Sequence, residues 1–579
     1  MIRKTCNNTI FFVDERVETN IILKEQENEV SIYELKIKGE SPLNNVEIII
    51  PYKMEGILST YAPTNAFKRN RMVMQWFAPI SSQSNFYYGS PFLSVIDRGN
   101  INFATIALSD SVMNNEIMFY VQDFQQEGNV EFKIKLITGR EQLRNYSVEL
   151  RIDRRKQCIT NSLNDLTDWF RKKYNNTIDV PEVCYMPLYS TWYNFHQHPN
   201  AELLEKELKI ATEMGFESVI IDDGWQYDGN GTSDYIDCGD WSISSEKFPD
   251  FKNFINNVHA LGMKVALWFP LPFVGFHTKA YKRFRNKLLY EEALSTNAGI
   301  LDPRYKEVRE FISETIVGLF KNYNLDGLKL DFIDSFMIKE DTPDVKEDMD
   351  EPLLTNAVQA LLGSINEKIF SIKHNAMIEY RQNYVGPAIT QYCNMLRVAD
   401  CAFDSITNRI AINDMRLLND KLAIHSDMLY WHCEDTNENV ATQLNNVLFS
   451  VPQISVLLSE DSDGHKEVLK NYLIYWKENQ KLLVENKLFV EGMDSNYSCA
   501  FVENDTKKIV VLYTKNSIKY EDKQVEVINA SNYEELFIEG NKAKTAYSYD
   551  CLGNLVEVKD LYAEINKIVF KLGGKVIIS

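Results

Sequence analysis

Between residues 186 and 457 the chain alternates two textures. Short apolar runs occupy 186–191, 218–223, 264–269, 327–332, 376–380, 395–400, 423–428 and 453–457. Short apolar runs rich in β-branched and aromatic residues read as buried strands. Longer segments lie between them, with apolar positions recurring every three or four residues. Asn200 is placed to cap a helix that carries Leu204, Leu208, Ala211 and Met214 on one face and stops at Gly215. A second, with Phe251, Phe254, Ile255, Val258 and Leu261, ends at Gly262; 304–323 and 404–418 carry two more. Eight strand–helix units over about 320 residues predict a (β/α)8 TIM barrel, an α/β fold with a parallel sheet closed on itself. A doubly wound open sheet is the other solution, but no G-x-G-x-x-G turn follows any of the runs.

The flanks lack this alternation. Residues 1–160 show β-rich segments, among them Val46-Glu47-Ile48-Ile49-Ile50 and Val130-Glu131-Phe132-Lys133-Ile134-Lys135-Leu136, separated by turn residues. That pattern predicts an N-terminal β-sandwich. A linker helix is expected over 161–174, the barrel over 161–490, and a C-terminal β-sandwich over 491–579. Lys508-Ile509-Val510-Val511-Leu512-Tyr513 is a strand of the last. A chain of 579 residues is too long for one core, which fits three domains.

Composition narrows the function. The net charge of −20 argues against nucleic acid and against anionic membranes as partners, since no basic stripe exists to meet phosphates. No stretch of about 18 apolar residues occurs, and the first residues have no apolar core of a signal peptide. Nine cysteines without a CxxC pair read as free thiols, so a cytoplasmic location is expected. The triplet Asn230-Gly231-Thr232 therefore has no expected role as a glycosylation site. A homo-oligomer is compatible with the sequence.

The chemistry gathers where the strands end. In such a barrel the site lies at the C-terminal ends of the strands. Those ends read Trp192 and Tyr193; Asp222, Asp223 and Trp225; Trp268; Lys329 and Asp331; Glu379; Arg397 and Asp400; His425 and Asp427. Each has an ordinary reading: a turn at Asp222-Asp223-Gly224, a core indole at Trp268, structural ion pairs elsewhere. Polar groups at matching ends of seven strands instead describe one ring around one mouth. Two carboxylates flanking a glycosidic bond are the machinery of glycoside hydrolysis. Alternate strand residues share a face, so Lys329 is expected to hold Asp331 ionised, which suits a nucleophile. The acid must carry a proton; Asp400 suits that role, with Asp404 as competitor and Arg397 opposing the shift. Asp222 and Asp223 would accept hydrogen bonds from sugar hydroxyls, and the indoles would stack on sugar faces. A metal hydrolase would show more histidines at strand ends; only His425 and His432 suggest a pair, and no metal or other cofactor is expected.

Five motifs, in order, carry a family resemblance. They are Tyr189-Ser190-Thr191-Trp192-Tyr193, Ile221-Asp222-Asp223-Gly224-Trp225-Gln226, the run from Gly262 to Phe269, Leu328-Lys329-Leu330-Asp331-Phe332 and Arg397-Val398-Ala399-Asp400-Cys401. Together the motifs resemble glycoside hydrolase family 36, the melibiase-type α-galactosidases. The resemblance spans about 185–460 and implies a retaining mechanism through a covalent glycosyl-enzyme. It implies Asp331 as nucleophile and Asp400 as acid/base. It also implies Asp222 and Asp223 as ligands of the galactose O4 and O6, with Lys329 and Arg397 on further hydroxyls. Trp192, Tyr193 and Trp268 would line the subsite of the cleaved sugar. The substrate expected is a terminal α-galactoside of an oligosaccharide. A transglycosylase of the raffinose-synthase type, a family 31-like α-glucosidase and a carbohydrate-binding barrel without activity are the other readings. Departures lie at Ile378-Glu379-Tyr380-Arg381, which lacks a Cys- and Gly-rich run, at Ala399 in place of a serine, and at Phe269-Pro270-Leu271-Pro272, which lacks a glutamate.

Overall fold

Eight parallel strands close around the middle of the chain. They are β1 Leu188–Ser190, β2 Ser218–Ile221, β3 Lys264–Pro270, β4 Gly327–Asp331, β5 Met377–Arg381, β6 Met395–Arg397, β7 Ala423–His425 and β8 Gln453–Ile454. Each pairs with the next from β1 to β7, and β8 pairs with β1. Bridges His425–Val451 and Leu429–Ile454 join β7 to the β8 segment and close the barrel. The computed structural model describes residues 1–579 apart from 54–55, 58, 63–79, 98, 122–129, 140–142, 175–177, 227–234, 293–295, 382, 420, 521, 541 and 563. Asn230-Gly231-Thr232 and Gln382 thus lie outside the described residues.

All eight expected strands are present, and most end earlier than their apolar runs. β2 stops at Ile221, β6 at Arg397 and β7 at His425, so Asp222, Asp223, Asp400 and Asp427 stand on the loops beyond. β5 instead runs one residue further, to Arg381.

The helices around the barrel are α1 Ile159–Tyr174, α2 Ala201–Met214, α3 Phe251–Ala260, α4 Lys306–Asn322, α5 Leu354–Ile372, α6 Ser405–Leu418, α7 Asn437–Asn446 and α8 Asp463–Gln480. Asn200 accepts from the Leu203 amide, and Gly215, at φ 101°, ends α2 in the left-handed region. Asp250, Asp404, Thr436 and Ser462 cap α3, α6, α7 and α8 in the same way. α5 starts after Leu353 with no side-chain cap, and its start has no signal in the sequence. A small sheet of Phe273–Gly275, Leu288–Tyr290 and Ala298–Leu301 interrupts the unit after β3. Its strands of three or four residues are too short to announce themselves as a pattern.

Two six-stranded antiparallel sheets precede the barrel and enclose Phe11, Tyr33, Leu35, Ile48, Phe119 and Phe132. A seven-stranded and a three-stranded sheet follow it and share a core that includes Val525, Leu536, Ile568 and Val576. The floor of the barrel is apolar: Leu188, Ile220, Ala266, Met377, Met395 and Ala423 pack with Cys184. All nine cysteines are free. No described helix is long and apolar enough to cross a membrane.

The barrel and the segments before and after it are joined at a buried carboxylate. Asp414 on α6 accepts from the Tyr61 hydroxyl of the N-terminal sheets at 3.2 Å and from the Tyr497 hydroxyl of the C-terminal segment. Asp414→Ala would strip both phenols of this acceptor in a dry interior. The expected cost is about 2–4 kcal/mol, read as a lower urea midpoint of unfolding, with secondary structure intact before the transition. A midpoint equal to the wild type's would show that the clamp carries no stability.

Candidate active site

Alternation along β4 aims Lys329 and Asp331 into the barrel, and both are buried, at 3% and 7% exposure. The register sets Trp268 beside Lys329, Lys329 beside Glu379, and Arg381 beside Arg397. One ring of side chains therefore comes from β3 to β6.

The pairing within this ring differs from the expectation. Lys329 Nζ lies 2.6 Å from Asp222 Oδ2, across the barrel interior, and not on Asp331. The cation on Asp331 is Arg381, whose Nε donates to Oδ1 at 2.5 Å. Trp268 Nε1 donates to Oδ2 at 3.0 Å, and the Phe332 amide to Oδ1 at 2.7 Å. Burial pushes the Asp331 carboxyl up, but Arg381, then Lys329 and the indole N–H, outweigh it and hold the group well below the usual carboxylate range. Lys329 thus acts on Asp331 through its field, without contact. Arg381 is the residue that sequence reasoning left out. The period of two from Glu379 reaches it once β5 is allowed one more residue.

Asp400 stands three residues beyond β6 with its side chain 57% exposed, and Arg397 Nη2 donates to Oδ1 at 2.9 Å. Enclosure raises its carboxyl, but Arg397 and then Lys329 hold it below the ordinary range. Its competitor Asp404 is a helix cap: it accepts from the Thr407 amide at 2.9 Å and the Thr407 hydroxyl at 2.5 Å. Arg397 also binds Asp427, which accepts from the Tyr193 hydroxyl and the Cys401 amide, both at 2.7 Å. Burial pushes the Asp427 carboxyl up to about 6, with Arg397 opposing.

Asp223 is buried and accepts from Gln197 Nε2 at 2.7 Å and more weakly from Gln226 at 3.4 Å. Burial, with Asp222 adding to it, lifts its carboxyl to about 7. Gly224 follows at φ 102°, and a Cβ there would sit 2.5 Å from the Gln197 backbone. The Asp-Asp-Gly turn thus needs glycine both for its dihedral and for the close approach of the β1 loop.

Three of the expected residues lie deeper than the mouth. Glu379 is enclosed, takes a hydrogen bond from Gln453 Nε2 at 2.6 Å, and lies 3.6 Å from Arg397 Nε; burial raises its carboxyl. His425 bonds the Cys184 carbonyl at 2.7 Å and Gln453 at 3.2 Å, and burial lowers its ring to about 4. Trp225 is fully buried, stacks on Trp241 and donates to the Trp268 carbonyl at 2.9 Å, which fixes the neighbouring indole. Trp192 and Tyr193 stay half-buried on the β1 loop. His432 is exposed, whereas His425 is fully enclosed. Among the described residues no three His, Cys, Asp or Glu are arranged to hold a metal ion.

Bulky residues with positive φ cluster on the same side of the barrel. His196, Trp241, Phe332 and Phe403, at φ 42–62°, all sit on loops that follow barrel strands. Such dihedrals persist where surrounding contacts over-determine them, as at binding sites.

Residues 160–379 match the Melibiase family. The α-galactosidase Mel36A of Lactobacillus acidophilus is 29% identical over 147 residues, 24% of this chain and 19% of that protein. The stretch aligned thus spans about a fifth of the length of the curated relatives. The fold extends the likeness. The GH36 α-galactosidase AgaA from Geobacillus stearothermophilus superposes with a TM-score of 0.64 at 13% identity, over 99% of this chain and 83% of that one. The α-galactosidase from Lactobacillus brevis does so with a TM-score of 0.65 at 12% identity, over 99% and 86%. Residues 160–379 are thus similar in sequence to the Melibiase family, and the fold around them is that of the GH36 α-galactosidases.

Proposed function

We propose that the protein is an exo-acting, retaining α-galactosidase that removes terminal α-galactosyl units from oligosaccharides. One observation carries the reading: Asp331 is buried, ionised and oriented by three donors at the end of β4, with the exposed Asp400 on the neighbouring rim. An ionised carboxylate fixed in direction suits attack on an anomeric carbon. In the first step the Asp331 carboxylate forms the glycosyl ester while Asp400 gives its proton to the departing oxygen. In the second, Asp400 takes a proton from water, the water oxygen bonds to the anomeric carbon, and Asp331 leaves. Two inversions give net retention.

The galactose assignment is supported by the tandem Asp222 and Asp223 and by the α-galactosidases among the relatives. Asp222, already held by Lys329, and Asp223, held by Gln197, present fixed acceptors to two hydroxyls. Nine free thiols fit a reducing compartment, the cytoplasm. The segments 1–160, 161–490 and 491–579 are proposed as three domains, with the outer two bracing the barrel.

The first test is a panel of aryl α-glycosides. Wild type is expected to prefer the α-galactoside, and Asp331→Ala to lose at least about 10³-fold in kcat. Azide should restore turnover to Asp331→Ala with an inverted product, and to Asp400→Ala with a retained one. Full activity in Asp331→Ala would end the assignment.

The second concerns pH. Asp427 and Asp400 share Arg397, so their protons leave as one system. The upper step lies at about 6. Above it the cluster has lost the proton that the leaving group needs. On methyl α-galactoside kcat/KM is expected to fall about tenfold per pH unit above that step. α-Galactosyl fluoride, whose leaving group needs no proton, should show a flat profile there. Parallel profiles for the two substrates would remove Asp400 from the acid role.

A third links the site to stability. The Asp223 carboxyl titrates near 7 when folded and at 3.8 in its ordinary state. Between those values the native protein holds a proton that the unfolded chain releases, so stability is lost as pH rises through this window. Asp223→Asn is expected to melt about 2–4 °C above the wild type above neutral pH, with the gain vanishing in acid, and to lose galactoside cleavage. A melting difference independent of pH would contradict the buried proton.

A further inference from the structure

The loop after β6 carries an aromatic ring that neither the fold nor the cleavage step uses. Phe403 is 62% exposed and is the one exposed aromatic on the described barrel, with Ile406 at 54% beside it on the first turn of α6. Its backbone is left-handed, at φ 62°, which is costly for a bulky side chain. The Asp404 amide donates to the Cys401 carbonyl at 2.9 Å and closes a turn whose third position is Phe403. Turns with positive φ there favour glycine or asparagine. With most of the ring exposed, burial does not explain a phenylalanine in such a place.

The turn is held from three sides. The Cys401 amide binds Asp427, Asp404 caps α6, and the Phe403 ring meets the edge of Tyr430 at 4.8 Å and 74°. Tyr430 lies three residues beyond Asp427 on the loop after β7. Phe403 lies three residues beyond Asp400, which keeps it within about 10 Å of that residue along the chain. An apolar ring is thus fixed on the rim beside the group that faces the leaving oxygen.

We propose that Phe403, braced by Tyr430, is the platform for the leaving group, receiving the flat C–H face of a pyranose or an aryl ring. The proposal rests on Asp331 and Asp400 as the catalytic pair. It gives the strained turn a reason: the positive φ turns the ring outward on the rim, while Tyr430 fixes its plane. The occupant is a ring with one apolar face, because a single phenyl with an exposed face binds by stacking and contributes no hydrogen bond. Small leaving groups would pass without touching it.

The test compares leaving groups of different size on the full-length protein. α-Galactosyl fluoride reports the cleaved sugar alone, and p-nitrophenyl α-galactoside and melibiose add an aryl and a pyranose ring. In Phe403→Ala, kcat/KM for either ring-bearing substrate, divided by that for the fluoride, is expected to fall about 3–10-fold. Phe403→Leu, apolar but without a ring, should fall in the same direction, and Phe403→Trp should keep the wild-type ratio. Melting curves are expected to match for all three, since the side chain is exposed. Unchanged ratios in Phe403→Ala, with wild type active on the fluoride, would overturn the platform and leave the catalytic pair standing. A wild type inactive on the fluoride would overturn the catalytic pair and the platform with it.

Discussion

Among the described residues the mouth of the barrel gathers more carboxyl groups, most of them buried, than it has cations to balance, and this shortfall governs the site. Lys329, Arg381 and Arg397 face Asp222, Asp223, Asp331, Glu379, Asp400 and Asp427. An uncompensated carboxylate in a dry interior takes up a proton before it accepts the full cost of burial. The three cations are divided among these groups. Asp222 has Lys329, Asp331 has Arg381, and Asp400 has Arg397, and the last two titrate below the ordinary range. Among the described residues Asp223 pairs with no cation, Glu379 stands 3.6 Å from Arg397, and fully buried Asp427 must share Arg397 with Asp400; burial raises all three. A single arrangement thus supplies an ionised carboxylate beside Trp268, carboxyl groups held in place at Asp222 and Asp223, and a raised carboxyl at Asp427, which shares Arg397 with Asp400.

Much of this was legible in the chain because a barrel strand has a period of two. That period brought Lys329 and Asp331 to one face, named the ends of seven strands, and located Asp222, Asp223, Asp400 and Asp427 near one mouth. It could not name partners. Residues i and i+2 on one strand are about 6.6 Å apart, whereas neighbouring strands are about 4.8 Å apart, and a long side chain can cross the interior. Lys329 therefore finds Asp222, and Arg381 from the adjacent strand takes Asp331.

Depth was the other quantity out of reach. Glu379 and His425 end apolar runs just as Asp331 does, yet they close a polar layer with Gln453 beneath the mouth. Which layer a strand end occupies depends on the stagger of the barrel, and stagger is a property of the closed sheet. Asp404 shows the same limit on a local scale. A carboxylate four residues from Asp400 reads as a second acid until the start of α6 is fixed, when it becomes that helix's cap. Phe403 remained silent because exposure and a positive φ leave no mark in hydrophobic periodicity.

Three donors on the carboxylate proposed as nucleophile have opposite effects on the two halves of the proposed reaction. Arg381, Trp268 and the Phe332 amide all stabilise the Asp331 carboxylate, which lowers its basicity and weakens its attack on the anomeric carbon. The same bonds make it a better leaving group when the glycosyl ester is hydrolysed. An enzyme built this way relies on proton donation and on grip of the leaving group to drive the first half. In the proposed reaction those duties fall to the Asp427–Arg397–Asp400 cluster and to the aromatic platform proposed beside it. Arg381, on the strand that departs from the Cys- and Gly-rich pattern, thus ties a change in the surroundings of the proposed nucleophile to a heavier demand on the opposite side of the mouth.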